Sequence, residues 1–207
     1  LRDFLPSVAR CTIGDDAGRL ADGTPMADIA ELIVADNGSS DGSLRLLRED
    51  FPEVKVMAFD TNLGFAGGYN EAMRRVETPY AVLLNSDVET TSGWLIPLYE
   101  YMSAHPRCGA CQPKILSWRQ RDYFEYAGAA GGFLDRNAFP YCRGRIFDNV
   151  ERDEGQYDGI PVKVAWASGA ALAVRTDAYR EVGGLDERFF AHMEEIDLCV
   201  RLAGAGY

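Results

Sequence analysis

No stretch of this 207-residue chain approaches the roughly 18–20 consecutive apolar residues of a membrane-spanning helix. The opening LRDFLPSVARC lacks the pattern of a secretory leader. Positive charge is scarce: 21 Lys and Arg stand against 32 Asp and Glu, for a net charge of −11. That balance excludes a nucleic-acid backbone as the main partner, and it excludes broad adsorption to anionic lipid. An acidic chain that handles phosphorylated ligands needs a metal or backbone amides to receive them. Internal repeats, low-complexity tracts and linkers are also missing, so a single α/β domain over 1–207 is expected. The chain opens in mid-helix and stops abruptly at GAGY, the mark of a domain excised from a longer parent that could carry membrane segments elsewhere.

The five cysteines are odd in number and lack disulfide spacing, which points to a reducing compartment. Cys108-Gly-Ala-Cys111 matches CxxC, but it leads into the apolar QPKIL stretch. In a strand its odd separation would send the two side chains to opposite faces. No second CxxC or nearby His pair completes a zinc site. The expectation here is neither metal nor redox chemistry.

What is present is an alternation of strands and helices. IAELIVADN (29–37), VKVMAFD (54–60), YAVLLNSD (80–87) and CGACQPKIL (108–116) read as strands. Helices follow the first three, with Ser40 a plausible cap for the first and Tyr69, Ala72, Met73 and Val76 marking the buried face of the second. Such alternation predicts right-handed crossovers and a mostly parallel central sheet with helices on both faces. Residues 117–161, rich in Arg, Asp, Tyr and Gly, break the pattern and read as an irregular excursion over the site, with room for a hairpin. Regular structure resumes at VKVAWASGAALAVRT, and a last helix from about Glu194 buries Ile196, Cys199, Val200 and Ala203.

Polar residues gather where strands end, the place where open α/β sheets bind ligands. Asp36 closes one strand, with Asn37, Gly38 and Ser39 behind it; an Asx turn explains this as well as a base or ribose contact does. NLGFAGG, with Asn62, Gly64, Gly67 and Gly68, could bring backbone amides to an anion. It is not GxGxxG and has no Walker lysine, and a tight strand-to-helix turn explains it nearly as well. Asn85-Ser86-Asp87 could hold a hard divalent cation that takes its other ligands from a diphosphate, with Glu89 facing the same way as Asp87; turn formation competes. Glu194, Glu195 and Asp197 crowd a helix start, where the dipole favours carboxylates and where one could act as general base. Asp197 can also pair with Arg201. Trp166, Ser168 and Gly169 suit either an aromatic wall and floor for a sugar ring or simple core packing.

Taken in order, VADNGSSDGS, NLGFAGGYNEA, VLLNSDVE, WASGAALAVR and GGLDERFFAHMEEIDLCVRLAGAGY resemble the inverting family-2 glycosyltransferases of the GT-A fold, in particular the rhamnosyltransferase-like branch that builds bacterial surface polysaccharides. The resemblance covers about 1–116 and 162–207. It implies a GT-A-like, nucleotide-diphospho-sugar transferase α/β fold. It implies transfer of a sugar from a nucleoside-diphosphate sugar, dTDP- or UDP-linked, to a hydroxyl of a saccharide or lipid-linked acceptor. Mg²⁺ or Mn²⁺ would assist, in the cytoplasm and at the inner face of the membrane.

By position, Asp36 matches the nucleoside-contacting acid, with Asn37, Ser39, Asn62, Gly67 and Asn85 also on the nucleotide side. Asp87 matches the metal ligand of the D-x-D-type motif, where Asn85 replaces the first Asp. Trp166, Ser168 and Gly169 match the donor-sugar and acceptor segment. Glu194-Glu195 matches the family's Glu-Asp pair, whose second member is the usual base. Two departures stand out: the family's first strand should lie before Leu1, and Glu195 occupies a position usually held by Asp, so Glu194 or Asp197 could share its work. A catalytically silent sugar-binding domain and a sugar nucleotidyltransferase are the rival expectations.

Overall fold

The computed structural model describes residues 1–126, 128–159, 161–189 and 192–207. Ala127 and Ile160 of the excursion, and Phe190 and Ala191 of the FFAHMEE stretch, lie outside the described residues.

After helix α1 (Leu5–Ile13), strand β1 (Ile33–Asp36), helix α2 (Ser43–Asp50) and strand β2 (Lys55–Ala58) form a βαβ unit. Its strands pair in parallel from Ile33↔Lys55 to Asp36↔Ala58. Ser40 does not cap α2. The helix starts three residues later, where Asp41 Oδ1 accepts the Ser43 N–H at 2.8 Å. Helix α3 (Gly64–Arg75), strand β3 (Tyr80–Leu84), helix α4 (Leu95–Ala104) and strand β4 (Ala110–Cys111) follow. The chain then enters the excursion and returns as strand β9 (Ala171–Arg175), helix α5 (Thr176–Glu181) and helix α6 (Glu194–Gly204).

Strand β9 is the centre of the core. It lies between β3 and β4 and runs antiparallel to both. Ala171, Leu172, Ala173 and Val174 are each no more than 2% exposed, so the strand is covered on both faces. Period-two alternation separates those faces. Leu172 and Val174 join Met73 of α3 and Leu198 and Leu202 of α6. Ala173 meets Leu98 and Met102 of α4, where its small side chain lets the helix approach.

The α/β architecture with helices on both faces therefore stands: β1 and β2 pair in parallel, and β9 enters as an antiparallel strand between β3 and β4. Local alternation correctly relates neighbours in sequence: β3 and β4, joined through α4, run the same way. It carries no information about a strand that returns after a long excursion and inserts between them.

Those registers also define a rim. Leu84↔Ala171 and Cys111↔Ala173 place the exits of β3 and β4 beside the entrance to β9. The excursion leaves and returns at this rim. It is more regular than its composition predicts, containing a four-stranded antiparallel meander: β5 (Gly132–Leu134), β6 (Pro140–Cys142), β7 (Arg145–Ile146) and β8 (Asn149–Val150). A small core of Phe124, Ala129 and Ala130 supports it.

Candidate active site

The first component of the site is the end of β1. Asp36 is 5% exposed. Its Oδ1 accepts the Ser39 N–H at 3.0 Å, and its Oδ2 is buried with no hydrogen-bond partner among the described residues. Burying an acceptor unpaired is costly, so an unpaired carboxylate oxygen at a strand end is a candidate ligand contact.

Asn37 and Asn62 have different tasks from those the sequence suggests. Asn37 Oδ1 accepts the Leu63 N–H at 2.9 Å, Asn62 Oδ1 accepts the Gly64 N–H at 2.9 Å, and Asn37 Nδ2 donates to the Gly64 carbonyl at 2.8 Å. Together they occupy amides at the start of α3 that would otherwise face an anion. Gly67 lies one turn inside α3 rather than at its tip. Its missing side chain makes room: a Cβ there would lie 3.1 Å from Leu63 Cβ and 3.8 Å from the Glu187 carboxyl carbon. Gly38 is a true backbone requirement, with φ +75° and a virtual Cβ 2.6 Å from the Thr61 carbonyl carbon. Ser39 is exposed and enters through its backbone amide.

Helix α3 links this end to the next. The Tyr69 hydroxyl donates to the Leu84 carbonyl at 3.0 Å. Burial pushes its phenol well above the ordinary range, with further contributions from Tyr179 and the charge of Asp87. Asn85, immediately after β3, donates its backbone N–H to the Ala170 carbonyl at 3.0 Å, and its Oδ1 is buried with no partner among the described residues. Asp87 is exposed, and no described hydrogen bond or ion pair engages it. Glu89 does not join it. Arg121 grips Glu89 at 2.7 and 2.9 Å and Trp118 donates at 2.9 Å, holding its carboxyl down to about 2.

The third component is the 168–170 segment against α6. Ser168 donates its N–H to Gln112 Oε1 at 2.7 Å, and its Oγ accepts from the Ala170 N–H at 3.2 Å. Gly169 faces Glu195: a Cβ built on it would lie 3.6–3.8 Å from Glu195 Cβ, Cγ and Cδ. Burial raises the Glu195 carboxyl above its ordinary value, and the adjacent Glu194 adds to the shift. Glu194 is itself 6% exposed, and each residue has a buried Oε2 with no hydrogen-bond partner among the described residues. The start of α6 offsets part of that cost through its dipole. The approach to α6 is strained: His192 and Met193 sit at φ +70° and +76°, costing about 1–3 kcal/mol each.

Asp197 separates from this pair. It binds Arg201 at 2.6 and 2.8 Å, and Arg201 donates onward to the carbonyls of Val182 and Gly184 at 2.6 and 2.7 Å. Its task is to anchor the 182–184 turn. Trp166 is likewise a core residue, not an open aromatic wall. It is 6% exposed, donates Nε1–H to the Phe133 carbonyl at 3.0 Å, and carries the Gly132 backbone against its indole.

Residues without a sequence signal complete the site. Gln112 clamps Ser168 and donates Nε2–H to the carbonyls of Gly128 and Ala129, but it sits in an extended segment with no periodicity to mark it. Tyr69 reads as an apolar helix position, and its hydroxyl contact is invisible to hydrophobic patterning. Contacts thus run from Asn37 through α3 and Tyr69 to Leu84 and Asn85, then through Ala170 and Gly169 to Glu195.

The donor set at the β3 end fits a hard divalent cation. Asn85 offers a buried unpaired oxygen and Asp87 an exposed unpaired carboxylate, while a diphosphate would supply the remaining ligands. Among the described residues no three His, Cys, Asp or Glu side chains converge, so such a cation would need its substrate to complete the coordination sphere.

The family model described as Glycosyl transferase family 2 matches residues 25–150. An N-acetylglucosaminyl-diphospho-decaprenol L-rhamnosyltransferase of Mycobacterium tuberculosis (strain CDC 1551 / Oshkosh) is 30% identical over 198 residues, covering 85% of this chain and 62% of the relative. The chain therefore spans less than two thirds of that relative's length. Among solved structures, GalNAc-T7 with UDP, GalNAc and Mn²⁺ superposes with a TM-score of 0.65 at 16% identity, covering 94% of this chain and 38% of the other. The mannosyltransferase PcManGT from Pyrobaculum calidifontis, in complex with GDP-Man and Mn²⁺, gives 0.60 at 17% identity, covering 100% of this chain and 49% of the other. These two likenesses establish the GT-A-like fold.

Proposed function

We propose that this chain, which belongs to glycosyl transferase family 2, moves a sugar from a nucleoside-diphosphate sugar to a hydroxyl of a saccharide or lipid-linked acceptor, with inversion. The observation that carries the proposal is the nearness of position 169 to Glu195, whose side chain a Cβ built on Gly169 would just touch. It sets a buried carboxylate, its proton affinity raised, beside a segment tied to the β3 exit.

Glu195 takes the proton of the acceptor hydroxyl as that oxygen attacks the anomeric carbon, and the bond from that carbon to the diphosphate oxygen breaks in the same displacement. One base suffices for a single inversion. Glu194 keeps the local proton affinity high. Asp36 receives a nucleoside hydroxyl or base N–H on Oδ2. Asn85 and Asp87 face the diphosphate and would hold Mg²⁺ or Mn²⁺. Such a cation supplies Lewis-acid stabilisation of the departing nucleoside diphosphate.

The relative's name brings an L-rhamnosyl donor and a lipid-diphosphate acceptor to this chain as the working assignment, with dTDP or UDP as the nucleotide. Work on a lipid-linked acceptor would place it at the inner face of the cytoplasmic membrane. Among the described residues no helix is long and apolar enough to cross that membrane.

The test is incubation of the full-length parent with a panel of nucleotide sugars and Mn²⁺, scoring sugar transfer and free nucleoside diphosphate. Release coupled to transfer is the expected result. Formation of nucleoside triphosphate from pyrophosphate would instead identify a nucleotidyltransferase, and nucleotide-sugar binding without turnover would identify a silent domain.

A further inference from the structure

We infer that Asn70 is a positioning residue for Glu195: from helix α3 it fixes the 182–187 turn, and through that turn it sets where α6 stands relative to the nucleotide end of the site. This rests on Glu195 being the base of the proposed transfer.

The whole hydrogen-bonding capacity of the Asn70 amide is committed to this task. Its Oδ1 accepts from the Tyr179 hydroxyl at 2.6 Å and from the Leu185 N–H at 3.0 Å. Its Nδ2 donates to the Leu185 carbonyl at 2.8 Å and to Glu187 Oε1 at 3.0 Å. One side chain thus holds both backbone groups of Leu185. Leu185 and Tyr179 are each 3% exposed, so removing the amide strands buried partners that water does not reach. Gly184 makes the approach possible: it sits at φ +73°, and a Cβ built on it would lie 2.5 Å from Asn70 Oδ1.

The other side of the same turn belongs to α6, because Arg201 donates to the Val182 and Gly184 carbonyls. Arg201 lies less than two turns along that helix from Glu195. Helix α3, for its part, carries the opposite half of the site. Tyr69, next to Asn70, holds the Leu84 carbonyl at the β3 exit, and Asn37 caps the start of the helix at Leu63. Asn70 is therefore where the diphosphate end is tied to the base-bearing helix. Cutting that tie leaves each half intact and loosens the spacing between them, and in-line displacement is sensitive to such spacing.

The test uses the full-length parent, with active molecules counted by the stoichiometry of nucleoside-diphosphate binding. Asn70→Ala should lower kcat per binding-competent molecule by about tenfold or more, with KM for the nucleotide sugar and nucleoside-diphosphate affinity unchanged. Tyr179→Phe removes one hydroxyl only and should give a smaller loss of the same kind, which decides the matter if Asn70→Ala folds poorly. Arg180→Ala is the control, since that side chain joins α5 to the Met73 and Val76 carbonyls and makes no side-chain hydrogen bond to the turn among the described residues. It should lower the melting temperature and leave kcat per competent molecule at the wild-type value. Losses in Asn70→Ala and Tyr179→Phe confined to melting temperature and binding stoichiometry would overturn the inference and leave Asn70 a stabilising residue only. Glu195→Gln, read alongside, separates the two levels. Near-wild-type turnover there removes the base assignment and this inference with it, whereas an inactive Glu195→Gln beside an undiminished Asn70→Ala overturns this inference alone.

Discussion

A Cβ built on Gly169 would meet Glu195 Cβ, Cγ and Cδ at 3.6–3.8 Å, ordinary van der Waals contact, so the volume at position 169 sets where the carboxylate can rest. Alanine fits that space, and φ at 169 lies outside the range that favours glycine. A branched side chain does not fit. Gly169→Val should lower kcat by about 100-fold, since displacing a reacting group by ~1 Å has that scale of effect. Gly169→Ala should stay within a few-fold of wild type. Steady-state transfer rates beside thermal melts check this, and equal rates for both variants would detach the segment from catalysis.

Glu195→Gln should abolish transfer, by about 10²–10⁴-fold, while leaving nucleotide binding largely intact. Its stability effect has a definite sign. The folded-state pKa lies above 4.5, so the stabilising protonated form is fully present below that value and is lost as pH rises through the raised one. At neutral pH the wild type bears the cost of a buried charge and the glutamine variant does not. The variant should melt higher at pH 7, at ~2–4 °C per kcal/mol for a chain of this size, and the gap should close on acidification. Calorimetry across that range reads it directly. Turnover near wild type would transfer the base role to Glu194.

Asp87→Ala should remove the metal dependence of nucleoside-diphosphate binding. Wild type should bind more weakly by tenfold or more with chelator present, and the variant should be weak with or without it. Asn85→Ala retains the backbone bond to Ala170 and removes an unpaired oxygen, so its melting temperature should hold while binding falls. Calorimetric titration separates these outcomes, and equal binding by all three proteins would exclude a metal at this strand end.

Arg201→Ala should destabilise the fold by about 2–3 kcal/mol. It strands the half-buried Asp197 and leaves the Val182 and Gly184 carbonyls without their donor. Asp197→Asn should cost less and retain most activity, which marks Asp197 as an anchor. Chemical denaturation midpoints and rates on the same samples decide the matter.

Asn37→Ala should cost about 1–2 kcal/mol, the usual scale of a lost helix cap, because it frees the Leu63 amide at the start of α3. Hydrogen exchange at Leu63 should accelerate if its amide is released, and unchanged protection there would mean another group caps it.

Elements encoded by local chemistry were readable in the sequence. The strand ends at Asp36 and Asn85 and the helices led by Leu47, Met73 and Leu98 follow from apolar periodicity and turn residues, as does the acidic start of α6. Strand β9 was readable as a strand but not as an antiparallel one, because direction after the long excursion depends on which gap in the sheet is left to fill. Asn37 and Asn62 have the composition of ligand contacts and the geometry of caps; only the distances to Leu63 and Gly64 separate the two. The split of Asp197 from Glu194 and Glu195 is similar. One helical turn places it over Arg201, a pairing visible in the spacing, yet the anchored carbonyls come from a segment distant in sequence.

The meander and its flanks hang from one rim, departing at Gln112 and returning at Ser168, with the Gln112 side chain bridging the two stems. A graft attached at one doorway can be lengthened, shortened or exchanged without rethreading β3, β9 or β4. Diversity among chains built on this plan should therefore concentrate in that annex, leaving the carboxylate-bearing frame to serve different acceptors unchanged.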